Sequence, residues 1–221
     1  YFWGYKTAGI FQNTQEIDEW RAAGNGILQS NVQPGDVRFV DRNHDGQIND
    51  KDKVNLGNGT PDFTLGLNLG FVYKGFDFSI VANGAFGQQI VQSYRNHTRP
   101  TPNYTTAILD RWHGEGTSNR IPRVTDSNIN YQFSDLFIQN GDYLRLSTLT
   151  LGYDFAKLFK GKAVSQARLY FQVQNLFTIT GYDGMDPEIG FGSSNNSWVS
   201  GLDYGYYPRP RTVLVGVNLK F

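Results

Sequence analysis

The stretch that decides the fold is Arg211-Thr-Val-Leu-Val-Gly-Val-Asn-Leu-Lys-Phe221. Successive side chains of a β-strand point to opposite sides. Val213, Val215, Val217, Leu219 and Phe221 therefore share one face, and Leu214, Gly216, Asn218 and Lys220 share the other. One side is apolar, the other mixed and polar. A soluble sheet with one face on a core produces this alternation. So does a strand whose faces meet lipid on one side and a lumen on the other. The other strands have to decide.

Phe63, Leu65, Leu67, Leu69, Phe71 and Tyr73 alternate with Thr64, Gly66, Asn68, Gly70, Val72 and Lys74. Lys74-Gly75 predicts a tight turn, since Gly supplies the positive φ that hairpin turns require. The return strand puts Phe76, Phe78, Ile80, Ala82, Gly84 and Phe86 on one face, with Asp77, Ser79, Val81, Asn83 and Ala85 on the other. Tyr143 to Phe155 changes phase at Ser147-Thr148, which predicts a β-bulge. Ala167, Leu169, Phe171, Val173, Asn175, Phe177 and Ile179 alternate with Arg168, Tyr170, Gln172, Gln174, Leu176 and Thr178. Strands crossing a bilayer at a tilt need about 9–11 residues, and these runs are that long.

The connections discriminate. Backwards from Phe221 they read long (Gly181 to Pro210), short (Ala156 to Gln166), long (Gly87 to Asp135), short (Lys74-Gly75) and long again. Outer-membrane barrels have short periplasmic turns and longer extracellular loops, whereas a sandwich has no reason to sort loop lengths by side. Tyr73, Phe76, Phe78, Tyr153, Phe155 and Phe221 are expected in a lower aromatic belt, and Phe63, Phe86, Tyr143 and Phe177 in an upper one. All eight Pro fall outside the predicted strands, where a missing ladder donor costs nothing. The expected fold is all-β: an antiparallel transmembrane β-barrel segment of five to six strands.

Composition agrees. Lys+Arg 20 against Asp+Glu 20 gives a formal net charge of +0, which argues against a nucleic-acid binder. There is no Cys, aromatic residues make up 15%, and the mean hydropathy is −0.45. No apolar run approaches the roughly 20 residues of a membrane helix, so only a barrel can place this chain in a membrane. The opening Tyr1-Phe-Trp-Gly-Tyr5 begins in mid-pattern, and the C-terminal part of a longer protein is expected. Upstream of the hairpin, Asn13 with Glu16 marks a helix start. The helix is expected over Thr14 to Ala23, ended by Gly24. Asp36 to Val40 reads as a short strand, and a short helix is expected near Thr105 to Trp112.

That short strand leads into Asp41-Arg-Asn43-His-Asp45-Gly46-Gln47-Ile48-Asn49-Asp50-Lys51-Asp52. The pattern D-x-[DN]-x-[DN]-G with an acidic residue at position twelve is a calcium loop, because Ca²⁺ takes six to eight oxygen ligands. Asp41, Asn43 and Asp45 would give side-chain oxygens and Gln47 its carbonyl. Asn49 would act through water, and Asp52 would close the shell. The preceding strand makes this a structural staple on an external loop. Position twelve is Asp where Glu is usual, which shortens its reach. An acidic turn binding nothing is the bland alternative.

His44, His97 and His113 show no H-E-x-x-H spacing and pair with no G-x-S-x-G elbow, so the chain is not read as an enzyme. Asp183, Asp186 and Glu188 resemble a glycosidase acid and nucleophile pair, but close-set carboxylates in a Gly-rich loop are far more often turn residues. Trp112, Trp198, Tyr204, Tyr206 and Tyr207 lie in the long loops and are candidates for substrate or partner contact, by stacking on sugars or seating a protein. Equally, they can pack the loops on one another.

With these residues assembled, the chain resembles the C-terminal part of a SusC/RagA-type TonB-dependent outer-membrane transporter. The matching stretches are Gly4-Tyr-Lys-Thr-Ala-Gly-Ile-Phe-Gln-Asn-Thr-Gln-Glu-Ile17, Gly35-Asp-Val-Arg-Phe39 with the Asp41 to Asp52 loop, and Tyr73-Lys-Gly-Phe-Asp-Phe78. They continue with Asn140-Gly-Asp-Tyr-Leu-Arg-Leu146, Leu149-Thr-Leu-Gly-Tyr153, Gln174-Asn-Leu-Phe177 and Tyr207-Pro-Arg-Pro-Arg-Thr212. The resemblance implies a barrel of about 22 strands, of which these are the last. It also implies an N-terminal plug, TonB, a SusD-like lipoprotein lid, and import of oligosaccharides or oligopeptides across the bacterial outer membrane. Asn68, Asp77, Asn83, Arg168, Gln172 and Gln174 would line the lumen. The reading from another class is a soluble calcium-stapled β-sandwich that binds glycans.

Overall fold

The computed structural model describes residues 1–93, 106–125, 128–156, 164–189 and 200–221. The chain divides into two compact units. One comprises Tyr1–Asn58 and Val91–Gln139, the other Gly59–Ile90 and Asn140–Phe221.

In the first unit the strands are short: β1 (Trp3–Gly4), β2 (Thr7–Ile10), β3 (Val37–Phe39) and β4 (Val54–Asn55). They form two antiparallel pairs, β1 with β4 and β2 with β3. The helix α1 (Thr14–Ala22) starts where Asn13 and Glu16 predict. Asn13 Oδ1 accepts from the Glu16 N–H at 2.9 Å, and Glu16 Oε2 accepts from the Gln12 N–H at 2.9 Å, so two otherwise unpaired donors are satisfied. Gly24, at φ 81, turns the chain out of the helix. Tyr5, Val37, Phe39 and Ile48 form the core, with Leu28 and Leu136 packed on it. The helix expected near Thr105 to Trp112 is only a 3₁₀ stretch, Thr106–Asp110, and Thr105 itself lies outside the described residues. A sequence without a sustained 3.6-residue apolar repeat gives such a segment no face to bury.

The second unit is built on one antiparallel sheet. Its first two strands in chain order are β5 (Phe63–Tyr73) and β6 (Phe76–Phe86), both eleven residues, as expected. The chain passes between units at Asn58–Gly59 and again within the short strands β7 (Gln89–Gln92) and β8 (Ile138–Asn140), which sequence alternation over so few residues does not reveal. Then follow β9 (Tyr143–Asp154), β10 (Gln166–Thr180), a two-residue β11 (Leu202–Asp203) and β12 (Thr212–Lys220). The long strands lie in the order β12-β10-β9-β6-β5. The β5–β6 turn has both central residues at positive φ, Lys74 at 49 and Gly75 at 93, the twist a two-residue hairpin needs.

The predicted bulge is present. Val81 pairs with Thr148 and Ala82 with Leu146, so Ser147 has no residue opposite it. On the other flank, Gln174 pairs with Thr148 and Phe177 with Leu146, leaving Asn175 and Leu176 opposite Ser147. Asn175 takes φ 52, which Asn tolerates better than most residues. The bulge keeps Leu144 and Leu146 on the same face as Leu149 and Leu151. One placement is corrected: Tyr143, expected in the upper aromatic belt, shares the polar face, paired with Ala85 and Thr180. Residue parity outweighs residue type there.

Candidate functional site

Register sorts the sheet into two chemically distinct faces. On one, Leu65, Leu67, Leu69 and Phe71 line up with Gly84, Ala82, Ile80 and Phe78 and onward to Leu144, Leu146, Leu149 and Leu151. They continue across β10 and β12 through Leu169, Phe171, Val215 and Val217. Aromatic rings gather at both ends. Phe63 stacks on Phe86 at 5.9 Å, and Phe76 meets Tyr153 at 4.4 Å. The opposite face carries Asn68, Asp77, Asn83, Arg168, Gln172 and Gln174, all six of the residues expected there.

Two constellations organise the polar face. Asp77, Gly152, Tyr170 and Gly216 form one rung across β6, β9, β10 and β12. Arg168 reaches diagonally over Gly152 to Asp77, with Nε–Oδ1 at 2.7 Å and Nη2–Oδ2 at 2.5 Å. A Cβ on Gly152 would stand 2.4 Å from Asp77 Oδ1 and 2.7 Å from Arg168 Nε, so the missing side chain is what admits the ion pair. Tyr170 lies against Gly216 in the same way, with its ring under the Arg168 guanidinium at 4.8 Å. These are fixed polar fittings on a wall.

Nearer the long loops, Arg145 is buried and fully engaged. Its Nε donates to Thr178 Oγ1 at 2.9 Å, Nη1 to Glu188 Oε2 at 2.9 Å and Nη2 to Asp186 Oδ1 at 2.6 Å. Arg209 pairs with the other Glu188 oxygen at 2.9 Å, and its N–H donates to Asp186 Oδ2 at 3.3 Å. Tyr182 Oη donates to buried Asp203 at 2.6 Å. The loops on either side of the undescribed residues 190–199 are thus tied to strand β9 by charge. Asp186 and Glu188 are committed to arginines and form no acid and nucleophile pair. Sequence reasoning missed this knot. Its one signal was an Arg on the polar phase of a strand.

In the first unit the Asp41 to Asp52 loop closes on its own amides. Asp41 Oδ1 accepts from His44 N at 2.8 Å, and Oδ2 from Gly46 N at 2.8 Å and Gly26 N at 3.2 Å. Asp52 accepts from Arg42 N at 2.9 Å and Asn49 N at 2.8 Å. Asn43 and Asp45 bond each other, and Asn49 caps the turn Asp50–Asp52. Gly46 takes φ 78 at the sharp turn, and Ile48 is buried in the core. Asp41 and Asp52 are buried carboxylates whose partners among the described residues are neutral N–H groups, and a buried anion calls for a cation. The donors therefore fit calcium in kind. Among the described residues, however, no three acidic, His or Cys side chains converge as a metal shell. Beside the loop, Lys53 Nζ bonds Asp50 at 2.7 Å, and that carboxylate raises the Lys53 pKa; burial raises that of Tyr5, whose ring lies 5.2 Å from Lys53 Nζ.

The candidate contact residues separate. Trp112 belongs to the first unit and is partly buried, its Nε1 donating to Gln12 at 3.2 Å and its ring against Gly35. Tyr204, Tyr206 and Tyr207 are exposed along one loop of the second unit. Trp198 lies outside the described residues.

No family model matches the chain. It is 33% identical along its full length to TonB-dependent receptor P3 of Formosa agariphila, covering 22% of that protein. TonB-dependent receptor SusC of Bacteroides thetaiotaomicron is 31% identical over 88% of the chain, which covers 18% of that receptor. The solved structure of the RagAB peptide transporter superposes with a TM-score of 0.70 at 22% identity, over 100% of this chain and 23% of that one. The chain thus spans about a fifth of the length of the curated relatives it matches.

Proposed function

The chain belongs to the SusC/RagA-type TonB-dependent receptors of the outer membrane, which are not enzymes, and we propose that it forms part of the barrel wall of a nutrient importer. The five-stranded sheet would be the closing stretch of a barrel of about 22 strands, with β12 pairing on its free side to a strand outside this chain. Its apolar face would meet lipid and its polar face the lumen. Transport would then run through a plug moved by TonB, under a SusD-like lipoprotein lid, with oligosaccharides or oligopeptides as cargo and no covalent step.

The observation that carries the reading is the two-faced sheet. Leu65, Leu67, Leu69 and Phe71 are exposed although they form a continuous apolar surface. A sandwich would lay a second sheet on such a face; among the described residues no second sheet covers it. Substituted cysteines test this in intact cells. Leu69→Cys should resist a water-soluble maleimide and Asn68→Cys should react; equal labelling would favour the soluble reading. Uptake of the cargo should stop when TonB is deleted, and uptake that continues would refute import of this kind.

The loop from Asp41 to Asp52 would bind Ca²⁺ through Asp41, Asn43, Asp45, the Gln47 carbonyl, Asn49 and Asp52. The buried, uncompensated carboxylates of Asp41 and Asp52 support this role. The ion would supply charge neutralisation and hold the loop to Ile48 and the core. Calorimetry showing no Ca²⁺ binding to the intact receptor, or binding unchanged in Asp41→Ala, would remove it.

A further inference from the structure

Strand β10 outruns its neighbour. Pairing with β12 stops at Gln174 and Thr212, so Asn175 to Thr180 continue without a strand on that side. The returning segment crosses this gap without filling it, held where Asn175 Nδ2 donates to the Pro210 carbonyl at 3.0 Å. A cavity of about 300 Å³ remains between them. Asn175, Thr178 and Thr180 supply a polar floor, while Met185 and Pro208 supply a hydrocarbon wall; Phe177, in register with Leu146 of the sheet's apolar face, borders the cavity at the open edge of the strand.

The charges around the cavity do not balance. Arg145 and Arg209 are matched by Asp186 and Glu188 in closed ion pairs. Arg211 also lines the cavity, is exposed, and has no acidic partner among the described residues. One uncommitted guanidinium thus stands beside an apolar wall. Its planar fork suits a carboxylate, which it can hold with two parallel hydrogen bonds. A methionine in the wall adapts to hydrocarbon of varied shape.

We infer that this cavity binds a carboxylate with a hydrocarbon group beside it, as at the last residue of a peptide, with Arg211 as the anchoring cation. A sugar acid offers the same carboxylate on a ring of hydroxyls, for which the Met185 and Pro208 wall provides no partners. The inference rests on the import reading, in which the polar face that carries Arg145 and Thr178 meets the lumen.

The test uses the intact receptor carrying this chain, purified in detergent, with three probes: a tetrapeptide ending in leucine, the same peptide as its C-terminal amide, and an oligogalacturonate. Calorimetry should show the free acid binding at least about tenfold tighter than the amide, the scale of one hydrogen bond to a charged group. Arg211→Gln should bring the acid to the amide's affinity, and Arg211→Lys should keep part of the preference. Equal binding of acid and amide, a preference that survives Arg211→Gln, or an Arg211-dependent preference for the galacturonate alone would overturn the site. TonB-dependent uptake that persists beside such a result would show that the site has failed and the import reading has not.

Discussion

In the unit made of residues 1–58 and 91–139, Ile10, Phe11, Ile17 and Val37 are between 0% and 3% exposed; in the sheet unit, Leu69, Phe71, Val215 and Leu219 are between 53% and 70% exposed. The residue types are alike, and their surroundings are opposite. The first unit gathers its apolar side chains inward around Tyr5, Val37 and Phe39, as a water-soluble fold does. The sheet unit turns its apolar side chains outward and keeps charge on its other face, where Arg168 and Asp77 pair. Hydrophobic burial works for the first by excluding water within the chain. For the second, the same term operates only if something else supplies the hydrocarbon.

Perturbing each side should sharpen that contrast. The largest effect is expected from Arg145→Ala, which leaves the buried Asp186 carboxylate without its guanidinium and Glu188 with Arg209 alone; breaking a buried pair from one side costs about 3–5 kcal/mol. Thermal unfolding of the detergent-purified receptor should fall accordingly, with faster proteolysis after residue 181, and an unchanged melting profile would dismiss the knot as decoration. Leu67→Lys places a charge mid-strand on the apolar face. In a bilayer it should cost about 2–4 kcal/mol and lower the folded receptor recovered from membranes; no loss would mean that this face meets water. Gly152→Ala drives a methyl into the Asp77–Arg168 pair, and overpacking of this kind costs about 1–3 kcal/mol. Asp77→Ala in the same background should relieve much of it if the ion pair is the obstacle.

The smallest effect belongs to the first unit. Burial holds the Tyr5 proton to a pH above its ordinary value of 10.0. The folded state then keeps a proton that the unfolded chain has released, so this contribution is intact below pH 10 and drains away as pH rises through the folded value. Chemical denaturation at pH 8 and pH 11 should show a modest alkaline loss that Tyr5→Phe reduces.

Much of the sheet was legible because alternation is a one-dimensional record of which way a side chain points. Leu149 and Leu151 against Leu144 and Leu146 revealed the bulge at Ser147 before any coordinates. Tyr143 was placed by its ring rather than by its parity, and parity decided. The Arg145 knot was illegible because its partners lie 41 and 43 positions away, in a loop without periodicity. The Asp41 to Asp52 loop was legible as a pattern of oxygen donors. That its carboxylates turn onto the Gly46, His44 and Asn49 amides depends on loop geometry that spacing does not record.

The division of the first unit into two stretches of chain has a consequence for the order in which the molecule forms. Thr7 bonds Asp135 across 128 positions of sequence, a closure that an unfolded chain reaches only slowly. Between the stretches lies the hairpin β5–β6, and once Phe63 is opposite Phe86 the ends leaving it are already neighbours. The hairpin therefore acts as a splint, shortening the search that the two halves must make. A change at Lys74-Gly75 would be read out as a delay in the maturation of a unit to which that turn does not belong.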